Sequence, residues 1–222
     1  MTLDVYAICY NEEFMLPLFI SHYKAMGANI TIYDNLSTDN SKEIIINSGC
    51  TYIPYDSGGQ IRDDLYLDIK NNCWKKSTAE WVAIVDIDEF IELQPSLKLD
   101  KSTMVRTKGY DMIGAPPSRN GVPNNMYSKY CMFRPKQIRE INYRAGCHTC
   151  SPVGNIFVSE ETANLLHYKY ISKEYVFNRH TVYESRLSDI NKRFSWGIEY
   201  QNVIKEDIEK KIDDLTCLAI KI

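Results

Sequence analysis

The sequence predicts an α/β fold, in which a mostly parallel sheet flanked by helices precedes a smaller mixed β region and C-terminal helices. Three observations support this prediction. Short apolar runs alternate with amphipathic segments over residues 1–90, which is typical of a doubly wound sheet with right-handed crossovers. Residues 81–85 are all apolar, as in a strand buried on both faces. After Pro95 the alternation becomes irregular.

The elements of the first half follow from apolar spacing and from the residues that interrupt it. Strands are predicted at residues 4–10, 29–33, 51–54 and 81–86. The segment 13–26 has apolar residues at helical spacing before Gly27, which ends the helix. Small polar residues at 37–41 can cap a second helix that runs to Gly49, and residues 62–77 form a third.

The second half contains short β-like runs at residues 112–113, 130–133 and 155–158, and a loop at 115–125. Residues 185–218 are charged and periodic, which predicts two helices packed on the outside. No repeat or flexible linker is evident, so we expect a single domain over residues 1–222.

Composition excludes several classes of protein. Hydrophobic residues make up 44% of the chain, which argues against disorder. With 26 Lys and Arg against 29 Asp and Glu, the net charge of −3 disfavours a nucleic-acid partner. No apolar run approaches a membrane span of roughly 20 residues, and the N-terminus does not resemble a signal peptide. Seven scattered cysteines, an odd number, indicate reduced thiols. We therefore expect a soluble cytoplasmic protein.

Polar residues collect where the predicted parallel strands end, at the edge of a sheet where ligands bind. Strand one is followed by Asn11 and Glu12, and strand two by Asp34 and Asn35. Either pair could instead cap a helix. Three such clusters together, the third of them after strand four, favour a ligand site.

The third cluster places Asp86, Asp88 and Glu89 directly after an apolar strand. Like charges so close together are costly without a positive partner, and a divalent cation is the simplest one. Residues two apart on an extended segment project to the same side, so Asp86 and Asp88 can reach one ion. Carboxylates suit Mg²⁺ or Mn²⁺, which share their coordination with substrate phosphates. A solvated acidic turn is the alternative.

Other phosphate-binding motifs are absent. The sequence contains no G-x-x-x-x-G-K-[ST], and no G-x-G-x-x-G follows the first strand. Both P-loop ATPases and nicotinamide dehydrogenases are therefore disfavoured.

Three sequence blocks, A-I-C-Y-N-E at 7–12, I-Y-D-N-L-S-T-D at 32–39 and W-V-A-I-V-D-I-D-E-F at 81–90, resemble the family-2-like nucleotide-sugar glycosyltransferases of GT-A fold, which carry a D-x-D motif. The D-x-D alone is a weak signal, whereas the three blocks in register across about the first 95 residues are specific. The resemblance implies a nucleotide-sugar-binding half (1–95), an acceptor-side mixed β region (96–180) and C-terminal helices (181–222).

By position, the resemblance also implies roles for single residues. Asp34 would lie near a uracil-type base, Asp86 near the ribose and metal, and Asp88 would ligate the metal. His167 would complete the metal or diphosphate shell. The remaining residues expected around the nucleotide are Asn11, Glu12 and Arg62.

The implied reaction moves a sugar from a nucleoside diphosphate sugar, expected to be a UDP-sugar, to an acceptor hydroxyl of a glycan or glycoconjugate. Mn²⁺ or Mg²⁺ would stabilise the leaving diphosphate. The family favours inversion, although retention stays open. An inverting enzyme needs a base: Asp111, Glu140 and Glu89 are candidates by position, and Asp111 is preferred. His148 falls in the acceptor region.

Other functions remain open. A nucleotidyltransferase would share the metal carboxylates, but residues 11–13 are not the glycine-rich basic loop that such enzymes commonly carry. The Cys147-His-Thr-Cys150 segment invites a zinc or redox interpretation, yet it lacks four evident ligands. A non-catalytic module that binds nucleotide sugars is the third alternative.

Overall fold

The computed structural model describes residues 1–222. Its main sheet has ten strands, and a separate ribbon has two. The strands are β1 Leu3–Cys9, β2 Ala28–Asp34, β3 Thr51–Pro54, β4 Trp81–Ile84, β5 Glu89–Glu92, β6 Met104–Ile113, β7 Asn120–Pro123, β8 Met132–Phe133, β9 Ile138–Glu140, β10 Val153–Gly154, β11 Val158–Tyr170 and β12 Ile220–Lys221. The helices are α1 Leu16–Ala25, α2 Ser41–Asn47, α3 Asp63–Asn72, α4 Lys173–Arg186, α5 Asp189–Arg193 and α6 Lys205–Leu218.

The first half of the chain forms the parallel part of the sheet. The strands lie in the order β3-β2-β1-β4, and every neighbouring pair among them is parallel. Helices α1, α2 and α3 make the connections. The predicted α/β class with a Rossmann-like parallel half is therefore confirmed. Because the strands run in one direction, the residues that follow β1 and β4 meet at one edge of the sheet.

The second half extends the sheet with mixed pairings. Strand β8 lies antiparallel between β4 and β6, and β11 pairs parallel with β6 and antiparallel with β5. This register sets His167 opposite both Asp111 and Glu89. The mixed β region expected after Pro95 is present, and its strands β6 and β11 are much longer than the short runs predicted there.

Strand β4 is buried on both faces, as its apolar sequence predicts. Trp81 and Ala83 pack in a cluster of 27 buried residues, whereas Val82 and Ile84 pack in a second cluster of 10. Alternate residues of a strand point to opposite faces, so the two clusters lie on the two sides of the sheet. The strand therefore ends in an apolar environment, directly before the acidic residues.

The C-terminal helices differ from the prediction. Helix α4 begins at Lys173, twelve residues before the predicted start at 185, and the Ser172 hydroxyl accepts a hydrogen bond from the Tyr175 backbone N–H. The helix is polar and aromatic and faces a polar cavity, so it lacks the apolar period that marks a surface helix. Two further helices follow. No helix in the structure has the length and apolar character needed to cross a membrane.

Candidate active site

A cavity of about 390 Å³ opens at the edge of the sheet where β1 and β4 end. Charged and hydrogen-bonding walls come from the segment after β1, the acidic turn after β4, strand β11 and helix α4, and helix α3 and residues 126–127, 145–148 and 195–200 complete the lining. The residues that these parts contribute include Tyr10, Glu12, Asp86, Asp88, His167, Lys169, Arg179, His180, Tyr183 and Arg186.

Residues 86–89 form a tight turn instead of the extended segment that the sequence predicts. The Glu89 backbone N–H donates to the Asp86 carbonyl at 3.0 Å, and the Glu89 carboxylate accepts from the Asp86 backbone N–H at 2.9 Å. Glu89 is also 2.6 Å from the ammonium of Lys129, and both side chains are at most 2% exposed. Glu89 therefore stabilises the turn and is not exposed to the cavity.

Asp86 and Asp88 both line the cavity but bind different partners. The Asp86 carboxylate lies 2.6 Å from Lys70 Nζ. Asp88 Oδ2 lies 3.6 Å from His167 Nε2 and 3.6 Å from a guanidinium nitrogen of Arg179. The two carboxylates therefore share no cationic side-chain partner.

His167 lies between two carboxylates. Its Nδ1 is 2.9 Å from Asp111 Oδ1, while its Nε2 faces Asp88. Burial disfavours the charged imidazolium, but Asp88 and Asp111 outweigh this effect and raise the pKa of His167 to about 9. The second Asp111 oxygen accepts from Asn124 Nδ2 at 2.7 Å. Asp111 thus lies behind His167, where it orients the ring.

Asp88 and His167 fit a divalent cation. Their 3.6 Å separation exceeds a hydrogen bond and is a few tenths of an ångström wider than that of two adjacent ligands of one ion, since donors about 2.1 Å from an octahedral metal lie roughly 3.0 Å apart. A carboxylate behind the ring, here Asp111, is the usual support for a metal-binding histidine. The structure contains no group of three or more His, Cys, Asp or Glu side chains that could together hold a metal ion. Two protein ligands are enough for Mg²⁺ or Mn²⁺, which take others from phosphates and water.

Glu12 and Arg179 form a buried ion pair with two contacts. The guanidinium nitrogens of Arg179 lie 2.7 and 2.6 Å from the two carboxylate oxygens of Glu12, and Arg179 also donates to the Tyr175 hydroxyl at 2.9 Å. Glu12 therefore positions Arg179 beside Asp88.

Two cations of the cavity have no carboxylate partner. Lys169 follows His167 by two residues on β11 and lies 5.4 Å from the centre of the Tyr200 ring. Arg186, 8% exposed, stacks its guanidinium 3.1 Å from the centre of the Tyr10 ring and donates from Nε to the Gly59 carbonyl at 2.9 Å. One terminal guanidinium nitrogen of Arg186 is buried without any hydrogen-bond partner.

Several predicted nucleotide contacts lie outside this cavity. Asp34 is fully buried and accepts from the Ser37 backbone N–H at 3.1 Å and the Tyr52 hydroxyl at 3.2 Å. Arg62 lies 2.6 Å from the Asp64 carboxylate and is not part of the cavity wall.

Asn11 does not line the cavity either, and its side-chain oxygen accepts from the Thr38 backbone N–H at 2.8 Å. Glu140, one of the three base candidates, pairs with Lys75 at 2.7 Å and is also absent from the wall.

The cationic side of the cavity, which consists of Lys70, Lys169, Arg179 and Arg186, was not predicted from the sequence. One signal was present. Arg179, Tyr183 and Arg186 are spaced by four and three residues, which places them on one face of a helix. These residues are polar, so their spacing does not give the apolar stripe by which a helix is recognised in a sequence.

Comparison with known proteins finds similarity in structure only, since no family model and no curated protein sequence match this chain. A crystal structure of S. aureus TarS 1–349 aligns with 97% of this chain and 69% of its own length, at 14% identity and a TM-score of 0.49. For a longer TarS structure the shares are 98% and 43%, at 13% identity and a TM-score of 0.49.

A third solved structure is glucosyl-3-phosphoglycerate synthase from Mycobacterium tuberculosis in complex with Mn²⁺, UDP and glucosyl-3-phosphoglycerate. It covers 49% of this chain and 44% of its own, at 14% identity and a TM-score of 0.35. At such identities and TM-scores, the activity of this chain has to be argued from the chemistry of its own cavity.

Proposed function

We propose that this chain transfers a sugar from a nucleoside diphosphate sugar to an acceptor hydroxyl of a glycan or glycoconjugate, with the help of Mn²⁺ or Mg²⁺. One observation carries the proposal. Asp88 and His167 face each other at 3.6 Å in a cavity that also contains two cations without carboxylate partners, Lys169 and Arg186.

The charge pattern of the cavity favours an anionic ligand. Lys70 is neutralised by Asp86, and Arg179 by Glu12. Lys169 has no carboxylate within ion-pair distance. A diphosphate supplies the negative charge that Lys169 lacks and also the oxygen ligands that a cation on Asp88 would share.

Helix α4 carries Arg179 and Arg186, and their spacing shows how far apart these two cations of the cavity lie. Arg179 and Arg186 are seven residues apart, about 10.5 Å along a helix. Arg179 lies beside Asp88, so Arg186 marks the end that is distant from the metal carboxylate. With its phosphates near Asp88 and Lys169, a nucleoside diphosphate would place its base near Arg186 and Tyr10. In this arrangement Arg186 and Tyr10 would make the nucleotide contacts that the sequence motifs predict for Asp34 and Arg62.

The residues of the site divide the work as follows. Asp88 and His167 would hold a divalent cation, which would supply positive charge for the departing diphosphate. His167 would bind the cation through Nε2 as a neutral imidazole. Asp111 keeps the ring oriented. Lys169 adds charge at the leaving group, and Asp86 stays within reach of the ribose, as the family resemblance implies. We expect a UDP-sugar and inversion.

Calorimetric titration tests this function. We expect UDP to bind in the presence of Mn²⁺ and to bind far more weakly after chelation. Asp88→Asn should weaken the Mn²⁺-dependent binding by about 100-fold or more, since changes even behind metal ligands cost 10- to 100-fold. Asp68→Asn, at an exposed position of α3, is the matched control.

Two outcomes would contradict the proposal. If UDP, GDP and their sugars all fail to bind with Mn²⁺, the cavity is not a nucleotide site. If UDP-sugars bind but UDP is never released, with water or with any sugar acceptor, the chain is a binding module. If UDP is released, NMR of the released sugar would show whether its anomeric configuration is inverted or retained.

A further inference from the structure

His148 lines the cavity beside Met126, Tyr127 and Gly146. The ring of Tyr127 lies between His148 and His167, and its centre is 5.1 Å from that of His148 and 3.9 Å from that of His167. His148 is therefore one aromatic ring away from His167.

A hydrogen bond determines which nitrogen of His148 carries the proton. Nδ1 is 3.0 Å from the Met126 backbone carbonyl. A carbonyl oxygen can only accept, so Nδ1 must carry hydrogen, and in the neutral ring Nε2 then has a free lone pair. The backbone thus presents His148 as a proton acceptor at Nε2.

The Nε2 edge is uncovered because residue 146 is glycine. Gly146 has a φ of +74°, and a Cβ at that position would lie 2.8 Å from Cδ2 and 3.0 Å from Nε2 of His148. Any other residue would be strained there and would press on the nitrogen. Gly146 and His148 both line the cavity.

Each of the three carboxylates that the sequence predicts as candidate bases is already hydrogen-bonded or ion-paired to another side chain. Asp111 lies behind His167 with both oxygens hydrogen-bonded. Glu89 is fully buried against Lys129, and Glu140 pairs with Lys75 away from the cavity. Of the cavity carboxylates, Glu199 has no ion-pair or hydrogen-bond partner and so competes with His148 for this role.

The surroundings of His148 favour the neutral ring. Burial is the main cause that lowers its pKa, and the ammonium of Lys129 adds to the effect. The carboxylates of Glu89 and Asp86 and the Met126 carbonyl oppose it without reversing it. At neutral pH the imidazole is therefore able to take up a proton.

We propose that His148 is the general base of the transfer reaction. Nε2 takes the proton of the acceptor hydroxyl while the hydroxyl oxygen forms its bond to the anomeric carbon. The bond from that carbon to the diphosphate oxygen breaks, and its electron pair leaves with the diphosphate. This inference rests on the proposed function and implies inversion.

The test uses water as the acceptor and measures UDP release from UDP-glucose and UDP-N-acetylglucosamine with Mn²⁺. His148→Asn keeps a donor for the Met126 carbonyl and removes Nε2. We expect kcat to fall 100-fold or more, with UDP affinity unchanged within threefold. His22→Asn is the matched control, because His22 also bonds a backbone carbonyl and lies outside the cavity.

Two further measurements separate catalysis from structure. With Mn²⁺ saturating at every pH, so that protonation of His167 does not limit metal binding, the rate of the unchanged protein should rise with pH as the His148 imidazole loses its proton, and His148→Asn should lose this rise. The ¹⁵N shifts of His148 should show an unprotonated Nε2, a result that needs no activity.

The inference is overturned if His148→Asn retains kcat within threefold, if UDP affinity falls in parallel with kcat, or if Glu199→Gln abolishes the rise with pH instead. If the unchanged protein binds no nucleotide, the proposed function fails and the inference with it. If it binds UDP with Mn²⁺ but releases none from either donor with water, the inference is overturned, whereas the proposed function fails only if sugar acceptors also give no release.

Discussion

Replacing Lys129 with methionine tests whether a buried ion pair supports the acidic turn. Lys129 and Glu89 lie 2.6 Å apart, with side chains 2% and 0% exposed. Although burial opposes the charge of Lys129, Glu89 and then Asp86 raise its pKa above the usual range. Methionine has nearly the same length and removes the charge, so Glu89 would stay buried without a cation.

Loss of one partner of a buried pair costs about 3–5 kcal/mol. In a chain of this size each kcal/mol shifts the melting temperature by roughly 2–4 °C, so we expect Lys129→Met to melt about 6–20 °C lower. The Glu89 carboxylate also accepts from the Asp86 backbone N–H, so Mn²⁺-dependent UDP binding should weaken as well.

Thermal and urea unfolding followed by circular dichroism measure the loss. Lys136→Met, at an exposed position, should change the free energy of unfolding by less than about 0.5 kcal/mol. The double variant Lys129→Met with Glu89→Gln removes both charges and should recover most of the loss. The reasoning is refuted if Lys129→Met costs less than about 1 kcal/mol, or if the double variant is as unstable as the single one.

Two further predictions concern the cavity. Arg186→Gln should weaken UDP binding about 10- to 100-fold, since a hydrogen bond from a charged group contributes about 1.5–3 kcal/mol. The control Arg62→Gln should change the UDP affinity by less than threefold. Equal losses of affinity for the two variants in calorimetry would contradict this prediction. Burial raises the pKa of Asp63 from 3.8 to about 6, so the folded protein binds the extra proton and loses stability as pH rises through that window. Asp63→Asn should therefore gain about 1–3 kcal/mol at pH 8 and almost nothing at pH 4 in urea unfolding; a gain of equal size at both pH values would be evidence against it.

The first half of the chain was predictable because its signals are local. The alternation of strands and helices appears in consecutive residues, and the carboxylates Asp86 and Asp88 directly follow an apolar strand that the structure buries on both faces. Asp34 shows the limit of this approach. Its position at the end of β2 was predicted, whereas its hydrogen bonds to Ser37 and Tyr52 depend on how the following loop and β3 lie against it.

The partners of the acidic residues depended on the tertiary structure. Glu12 meets Arg179 across 167 positions of the chain, and His167 meets Asp111 across 56. The register of β11 against β5 and β6 brings His167 to the carboxylates, and such pairing over long separations leaves no periodic pattern in the sequence. Helix α4 was likewise missed because its inner face contacts a polar cavity.

The sequence alone determined that the chain folds as a parallel α/β sheet with acidic residues at the edge where ligands bind, because periodicity and adjacency are properties of neighbouring residues. Only the tertiary structure decided which charges are paired and which are available. It pairs Glu89 with Lys129 and Glu12 with Arg179, and it leaves Lys169 and Arg186 without carboxylate partners. Charge neutralisation acts through space over a few ångströms, so it depends on which distant segments the fold brings together.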